Sequence, residues 1–172
     1  MDLHAEDGTL ARTIRTDRLT LRPIEAADAP AIVAALNDWD VTRWLTLVPY
    51  PYAQADAEWW IAQAGDGYWV IDAGQGAIGA ISIKPDMGYW LARSEHGKGY
   101  MTEAASAVAA EHFRISGSPL VSGHYPDNAA SRAVLLKLGF ADTHLETQRQ
   151  VSTDRDVPTQ RMILTRETFH AR

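Results

Sequence analysis

The sequence has no cysteine among its 172 residues. Disulfides, thiolate-ligated zinc and a thiol nucleophile are therefore excluded. The absence is compatible with a reducing cytoplasm, which is the expected location. No apolar run approaches the ~20 residues of a membrane-spanning helix; AIVAAL, beginning at Ala31, is among the longest. No membrane partner is expected. The opening MDLHAEDGTLART has no apolar segment and does not read as a secretory signal. Basic residues are in deficit, with 16 Lys and Arg against 22 Asp and Glu and a net charge of −6. Binding to a phosphate backbone needs clustered Lys and Arg, so no direct nucleic-acid partner is expected. An acidic chain tolerates a cationic substrate such as an amine. The hydrolase pattern G-x-S-x-G is absent. So is H-E-x-x-H, and the six histidines are scattered, so no metal site is expected. There are no internal repeats and no low-complexity linker.

What is present suffices for one packed domain. The composition is 46% hydrophobic with six tryptophans, enough for a sizeable core. Residues 1–15 read as a loose polar lead-in, and residues 16–170 as a single domain, monomeric or homodimeric. RLTLRPI, from Arg18, alternates as a strand. The helical segment EAADAPAIVAALND follows, with Asp28 placed to cap it and Pro30 in its first turn. Residues 39–60 hold Trp39, Trp44, Tyr50, Tyr52, Trp59 and Trp60. A second helix is expected over AQADAEWWIAQA, and strands over YWVID, AIGAISI and MGYWLA. A helix over residues 101–114 puts Met101, Ala104, Ala105 and Val108 on one face. PLVSGHY reads as a strand, and residues 129–138 as a helix stacking Ala130, Val134 and Leu138 and ended by Gly139. Two strands, 142–151 and 157–165, close the chain around STDRD. The expected class is α+β, a mostly antiparallel sheet of about 6–7 strands with about four helices on its faces.

Two glycine patterns compete for attention. GQGAIG, from Gly74, matches the dinucleotide fingerprint literally, but that motif must open a helix. The β-branched run AISI follows, so GQGAIG reads as a hairpin turn. EHGKGY, from Glu95, is neither a Walker loop, since Gly99 follows Lys98, nor a dinucleotide loop. It does lie between a strand and a helix. Free backbone N–H groups, the helix dipole, Lys98 and two permissive glycines could there converge on an anion. Taken alone, the loop reads equally well as a flexible surface turn. Asn128 and Ser131 stand at the start of the next helix, where Asp127 or Asn128 serves as an N-cap.

Three segments together carry a resemblance. TDRLTLRPIEAADAPAIVAALND, GYWLARSEHGKGYMTEA and NAASRAVLLKLGF resemble, in order, the opening strand and helix, the cofactor strand-loop-helix and the closing signature of the GNAT superfamily of N-acyltransferases. More narrowly they resemble its ribosomal-protein N-terminal acetyltransferase (RimJ/RimL-type) branch. The likeness extends over about residues 16–166. It departs at Ser94, where the superfamily often has Gln or Arg.

The resemblance implies a GNAT-like fold and acetyl-CoA as co-substrate. It implies that backbone amides of His96, Gly97, Lys98, Gly99, Tyr100 and Met101 hold the pyrophosphate. By the same likeness Trp90, Leu91 and Ala92 pair with the pantetheine arm, and Leu91 N–H polarises the acetyl carbonyl. Asn128 bonds the pantetheine side, and Ser131 lies near the sulfur as a proton or hydrogen-bond donor. The reaction implied is acetyl transfer to a primary amine by direct attack in a ternary complex. The acceptor is a protein N-terminus or a small amine, with an aminoglycoside or polyamine as the alternative. A non-catalytic acyl-CoA sensor is the rival from another class. The base is open: Glu146 is followed by Gln148 and Gln150, so a carboxylate role there does not transfer cleanly. His124, Glu58 and a water chain are the remaining candidates. The aromatics of residues 39–60 read as packing, as acceptor wall, or as both.

Overall fold

The computed structural model describes residues 8–171, in two antiparallel sheets. The first sheet has the order β1 (Ile14–Arg15), β2 (Thr20–Arg22), β3 (Tyr68–Asp72), β4 (Ala77–Ser82) and β5 (Gly88–Leu91). The second has the order β6 (Leu120–His124), β8 (Arg155–Leu164) and β7 (Ala141–Gln150). Between β2 and β3 run α1 (Ala29–Leu36), the short α2 (Trp39–Thr42) and α3 (Gln54–Gln63); α4 (Tyr100–Ile115) follows β5, and α5 (Ala129–Leu138) follows β6. The α+β class stands, but the expected single sheet is divided. Its halves touch where Met87 N–H donates to the Val121 carbonyl at 2.8 Å and Ser122 Oγ donates to the Met87 carbonyl at 2.7 Å. Beyond that parallel bridge β5 and β6 separate, and the free edge of β5 faces a gap.

Two apolar clusters hold this frame. Trp69, Ile71 and Ile81 of the sheet pack with Met101, Ala104, Ala105 and Val108, the α4 face anticipated from spacing. Leu135 and Leu138 of α5 join them with no exposure, and Val134 packs alongside. Ala130 stays exposed, so the buried stripe of α5 runs through 134, 135 and 138. Ile32, Leu36, Tyr52 and Ala57 form the second cluster, on α1 to α3. Period-two alternation divides β5 between the clusters: Tyr89 and Leu91 pack on the first, Trp90 on the second. No helix among the described residues is long and apolar enough to cross a membrane.

Several local expectations resolve differently. The lead-in over residues 1–15 is tied down from Thr9 onward, and residues 1–7 lie outside the described part. Arg114 Nη2 donates to the Thr9 carbonyl, Ala11 N–H donates to Glu111 Oε1, and Trp69 Nε1 donates to the Ala11 carbonyl. GQGAIG is a hairpin turn, as its context required: Asp72 Oδ1 accepts from Gly74 N–H at 2.7 Å and Gly76 N–H at 3.1 Å. Its last glycine has a further reason. A Cβ on Gly79 would lie 2.4 Å from the Trp90 carbonyl oxygen, because β4 and β5 approach closely there.

Asp28 does not cap α1 with its side chain. Its buried carboxylate takes both Nη atoms of Arg22 at 2.9 Å, and the Glu25 N–H. Arg22 reaches Asp72 as well, at 3.2 Å. Burial pushes the Asp28 carboxyl up, but Arg22 and the Glu25 N–H outweigh it and hold it below the ordinary carboxylate value. A depressed carboxyl stabilises the fold above its unfolded value, about 3.9, and loses that contribution as pH falls through the folded value. Arg22→Ala strands a buried carboxylate, a loss of about 3 kcal/mol at neutral pH. In urea titrations the difference from the parent should shrink as pH falls through the depressed Asp28 value and the carboxylate protonates. A difference that stays constant with pH would remove the ion pair from the account.

Candidate active site

The loop at Glu95 to Gly99 is built as an open N-terminus. Residues 93–95 make one 3-10 turn, and Gly97 and Gly99 then adopt φ of +77° and +79°. Those left-handed values favour glycine and let the chain double back into α4. Among the described residues, no N–H of Gly97, Lys98, Gly99, Tyr100 or Met101 meets a backbone acceptor. His96 is the exception among the expected donors, since its N–H is committed to the Arg93 carbonyl at 3.2 Å. Converging free N–H groups at the positive end of a sixteen-residue helix fit a diphosphate. The side-chain charge is less one-sided than the sequence implied. Lys98 Nζ is 2.9 Å from Glu95 Oε2, so the main chain, more than Lys98, makes the loop anion-attracting.

Side chains on both flanks fix the loop, and none of these roles is legible from spacing. Arg18 pairs with Glu103 at 2.7 Å, donates to the Lys98 carbonyl at 2.9 Å and stacks 4.7 Å from the centre of the Tyr100 ring. Thr16 Oγ1 also donates to Glu103, at 2.6 Å. The β1–β2 turn thereby clamps the α4 terminus from some 85 residues away in sequence. From the other side His96 Nε2 lies 2.9 Å from the Leu91 carbonyl. A carbonyl only accepts, so Nε2 carries the proton, and the ring fastens the loop to β5.

The main chain of β5 divides its duties by register. Ala92 N–H donates to the Ile78 carbonyl at 2.8 Å, and Trp90 sits opposite Ala80. In an antiparallel ladder such pairs alternate with pairs turned outward. Trp90 and Ala92 therefore bond β4, whereas Leu91 and Tyr89 direct their N–H groups into the gap. Of the three residues expected to pair with an extended ligand, Leu91 is the one turned toward it.

Across the gap stands α5. Asn128 caps it, with Oδ1 accepting from Ser131 N–H at 3.1 Å, which leaves the Asn128 amide N–H₂ to donate outward. The Ser131 hydroxyl lies 3.0 Å from the Tyr89 phenol, which is also 3.3 Å from the Ser131 carbonyl. Burial pushes the Tyr89 phenol well up, and the bond to Ser131 only partly opposes this. It stays protonated at neutral pH. Tyr89 was not singled out from sequence, although it shares the Leu91 face of β5.

The base candidates are occupied elsewhere. His124 is buried, with Nδ1 at 2.9 Å from the Tyr125 carbonyl and Nε2 at 3.3 Å from Arg132 Nη1. The carbonyl requires the proton on Nδ1, so Nε2 accepts from Arg132, which is itself paired with Asp142 at 2.8 Å. Glu58 is exposed on α3 and accepts from Gln54. Glu146 accepts from Gln148 at 2.6 Å. Among the described residues no group of three His, Cys, Asp or Glu side chains converges as a metal site.

The aromatics at 39–60 divide. Tyr52 is core, Trp60 packs beside it, and Trp59 is 67% exposed. Trp39 and Trp44, with Tyr125, line a cavity of about 260 Å³. Arg93, just past β5, bonds Asp40 of α2 at 2.9 Å. Tyr125 directly follows β6. The cavity thus lies at the C-terminal ends of the two separated strands. A second cavity, about 200 Å³ beside Pro23, Gly67 and Trp69, lies at the opposite end of the first sheet.

The acetyltransferase (GNAT) domain family matches residues 18–141, from Arg18 through α5. No protein of curated function matches the sequence. The fold is similar to that of a GNAT-family acetyltransferase from Bacillus anthracis, at 18% identity and TM-score 0.79, covering 90% of this chain and 99% of that one. It is similar also to RimL, a ribosomal L7/L12 α-N-protein acetyltransferase in complex with coenzyme A, at 19% identity and TM-score 0.76, covering 89% and 97%. RimJ of Mycobacterium smegmatis, in complex with CoA-disulfide, gives 21% identity and TM-score 0.74, covering 92% and 88%. At these identities the likeness is one of fold. A family match over most of the chain, which takes in the glycine loop at the start of α4, means that the chain belongs to the GNAT family of acetyltransferases, with acetyl-CoA as its co-substrate.

Proposed function

We propose that the protein transfers the acetyl group of acetyl-CoA to a primary amine, a protein N-terminal α-amine or a small amine, by direct attack within a ternary complex. The observation that carries this reading is the outward register of Leu91, set between the open glycine loop and Ser131. The N–H groups of Gly97 to Met101 hold the pyrophosphate. Leu91 N–H donates to the oxygen that becomes negative as the amine nitrogen bonds the carbonyl carbon. Asn128 donates to the pantetheine arm. As the carbon–sulfur bond breaks, the Ser131 hydroxyl gives its proton to the leaving sulfur and regains one from the water that took the amine proton, while the Tyr89 phenol holds that hydroxyl in place. His124 and Glu58 are engaged away from the gap, so the amine proton is assigned to water at its mouth.

The test is release of free CoA from acetyl-CoA in the presence of peptide and small-molecule amines. Initial rates with both substrates varied should give intersecting lines. Stabilisation by acetyl-CoA without release of CoA with any amine would make the protein a sensor instead. Two variants separate chemistry from binding. Ser131→Ala should lower kcat by about 10²-fold with little change in the Kd of CoA. Gly97→Val, strained at positive φ, should weaken CoA binding before it touches kcat. Unchanged kcat in the serine variant would remove Ser131 from the reaction.

A further inference from the structure

We propose that the acceptor is a small amine carrying both an aromatic ring and a carboxylate, the chemistry of an aromatic α-amino acid, bound in the cavity between α2 and the β6–α5 connection. This rests on the transfer reading above and specifies its second substrate. The cavity combines three kinds of wall. Trp39, Trp44 and Tyr125 offer aromatic faces, and Pro158 an apolar one. Arg43 lines it with a guanidinium stacked 4.8 Å from the centre of the Trp44 ring. Asp127 lines it with a carboxylate, one residue before the cap of α5.

The two charges are what distinguish a ligand. Arg18, Arg22, Arg93, Arg132 and Arg161 each pair with a carboxylate. Arg43 and Asp127 pair with none among the described residues, nor with each other, although they share one cavity. The Arg43 main chain is tied down, because its carbonyl accepts from Gln150 Nε2 at 2.9 Å, and the guanidinium itself rests on the Trp44 ring. A guanidinium held over an indole keeps N–H groups free to form a fork that takes a carboxylate through two bonds. A ring laid against Trp39 or Trp44 then fills the apolar space, and Asp127 receives the ammonium on the side nearest Asn128 and the gap, where its proton passes to water before the neutral amine attacks. At about 260 Å³ the space suits one amino acid, below the ~300 Å³ at which drug-sized sites begin. A peptide terminus presents no free carboxylate at this distance from its amine and leaves Arg43 without a partner. A polyamine leaves it facing a like charge.

The experiment uses the intact protein with acetyl-CoA and follows CoA release with tryptophan, with tryptamine, which lacks the carboxylate, with glycine, which lacks the ring, and with a short peptide. Tryptophan should give a kcat/KM at least about 10-fold above each of the others, as loss of one charge-assisted pair predicts. Arg43→Gln, a change at an exposed residue, should bring the tryptophan-to-tryptamine ratio close to unity. Equal values for tryptophan and tryptamine, or a ratio unmoved by Arg43→Gln, would overturn the assignment. Calorimetric titration of tryptophan into the CoA-saturated protein reads the cavity without turnover. Binding that depends on Arg43, with no CoA release from any amine, would uphold the cavity and sink the transfer reading. Turnover of the peptide with no binding of tryptophan would do the reverse.

Discussion

Leu91→Pro is expected to lower turnover by about 10²- to 10³-fold relative to Leu91→Ala, the range for loss of one oxyanion donor. Both variants lose the same buried side chain, 7% exposed in the parent, so their comparison isolates the N–H. The comparison is possible because of register. Leu91 directs its N–H away from β4, and Ala92 and Trp90 carry the ladder. Proline removes a donor that the sheet does not use, which is where a strand tolerates it. Pre-steady-state acetyl transfer, with CoA binding measured alongside, checks the expectation. Equal turnover in the two variants would move the oxyanion donor off β5.

The largest loss of stability is expected from Gly139→Ala, at least about 3 kcal/mol by summing a left-handed backbone penalty and a steric clash with the closing turn. Gly139 ends α5 with φ of +102°, and a Cβ there would lie 1.8 Å from the Thr168 carbonyl oxygen. That carbonyl belongs to the closing turn, whose His170 N–H donates to the Leu138 carbonyl at 2.9 Å and whose Phe169 ring lies 5.6 Å from Phe113 of α4. The alanine must therefore displace the tail as well as strain the cap. Denaturant unfolding checks the magnitude. A loss below about 1 kcal/mol would mean that the tail moves aside freely, leaving only the backbone penalty.

The sites of these two variants differ in how far they could be read in advance. Gly139 as a helix terminus follows from local chemistry, since a glycine after a periodic apolar stretch supplies the left-handed residue that helix ends use. The clash with Thr168 involves a carbonyl 29 residues away in sequence and leaves no trace in the pattern. Likewise the strand MGYWLA is legible from alternation, but which of its N–H groups faces the gap depends on pairing with Ile78 and Ala80. Asp28 looked like an ordinary cap and proved to be the partner of Arg22, because a charged group only six residues upstream competed successfully for it. The short helix α2, of four residues, is below the length at which periodicity carries a signal.

The sequence by itself determined the order of strands and helices apart from β1 and α2, the placing of the glycine loop before α4, the cap of α5 and, through three motifs in order, the family. The local features depend on residues within one or two helical turns of one another, where backbone preference and side-chain period act directly, and the family on the order of three such stretches. Only the tertiary structure decided that the sheet parts after Met87, that Leu91, between Trp90 and Ala92, turns its N–H into the gap, that Tyr89 holds Ser131, and that Arg43 and Asp127 face one cavity from separate elements. Those facts depend on where distant segments meet, and the closing of long loops around a packed core leaves that unspecified by any local pattern.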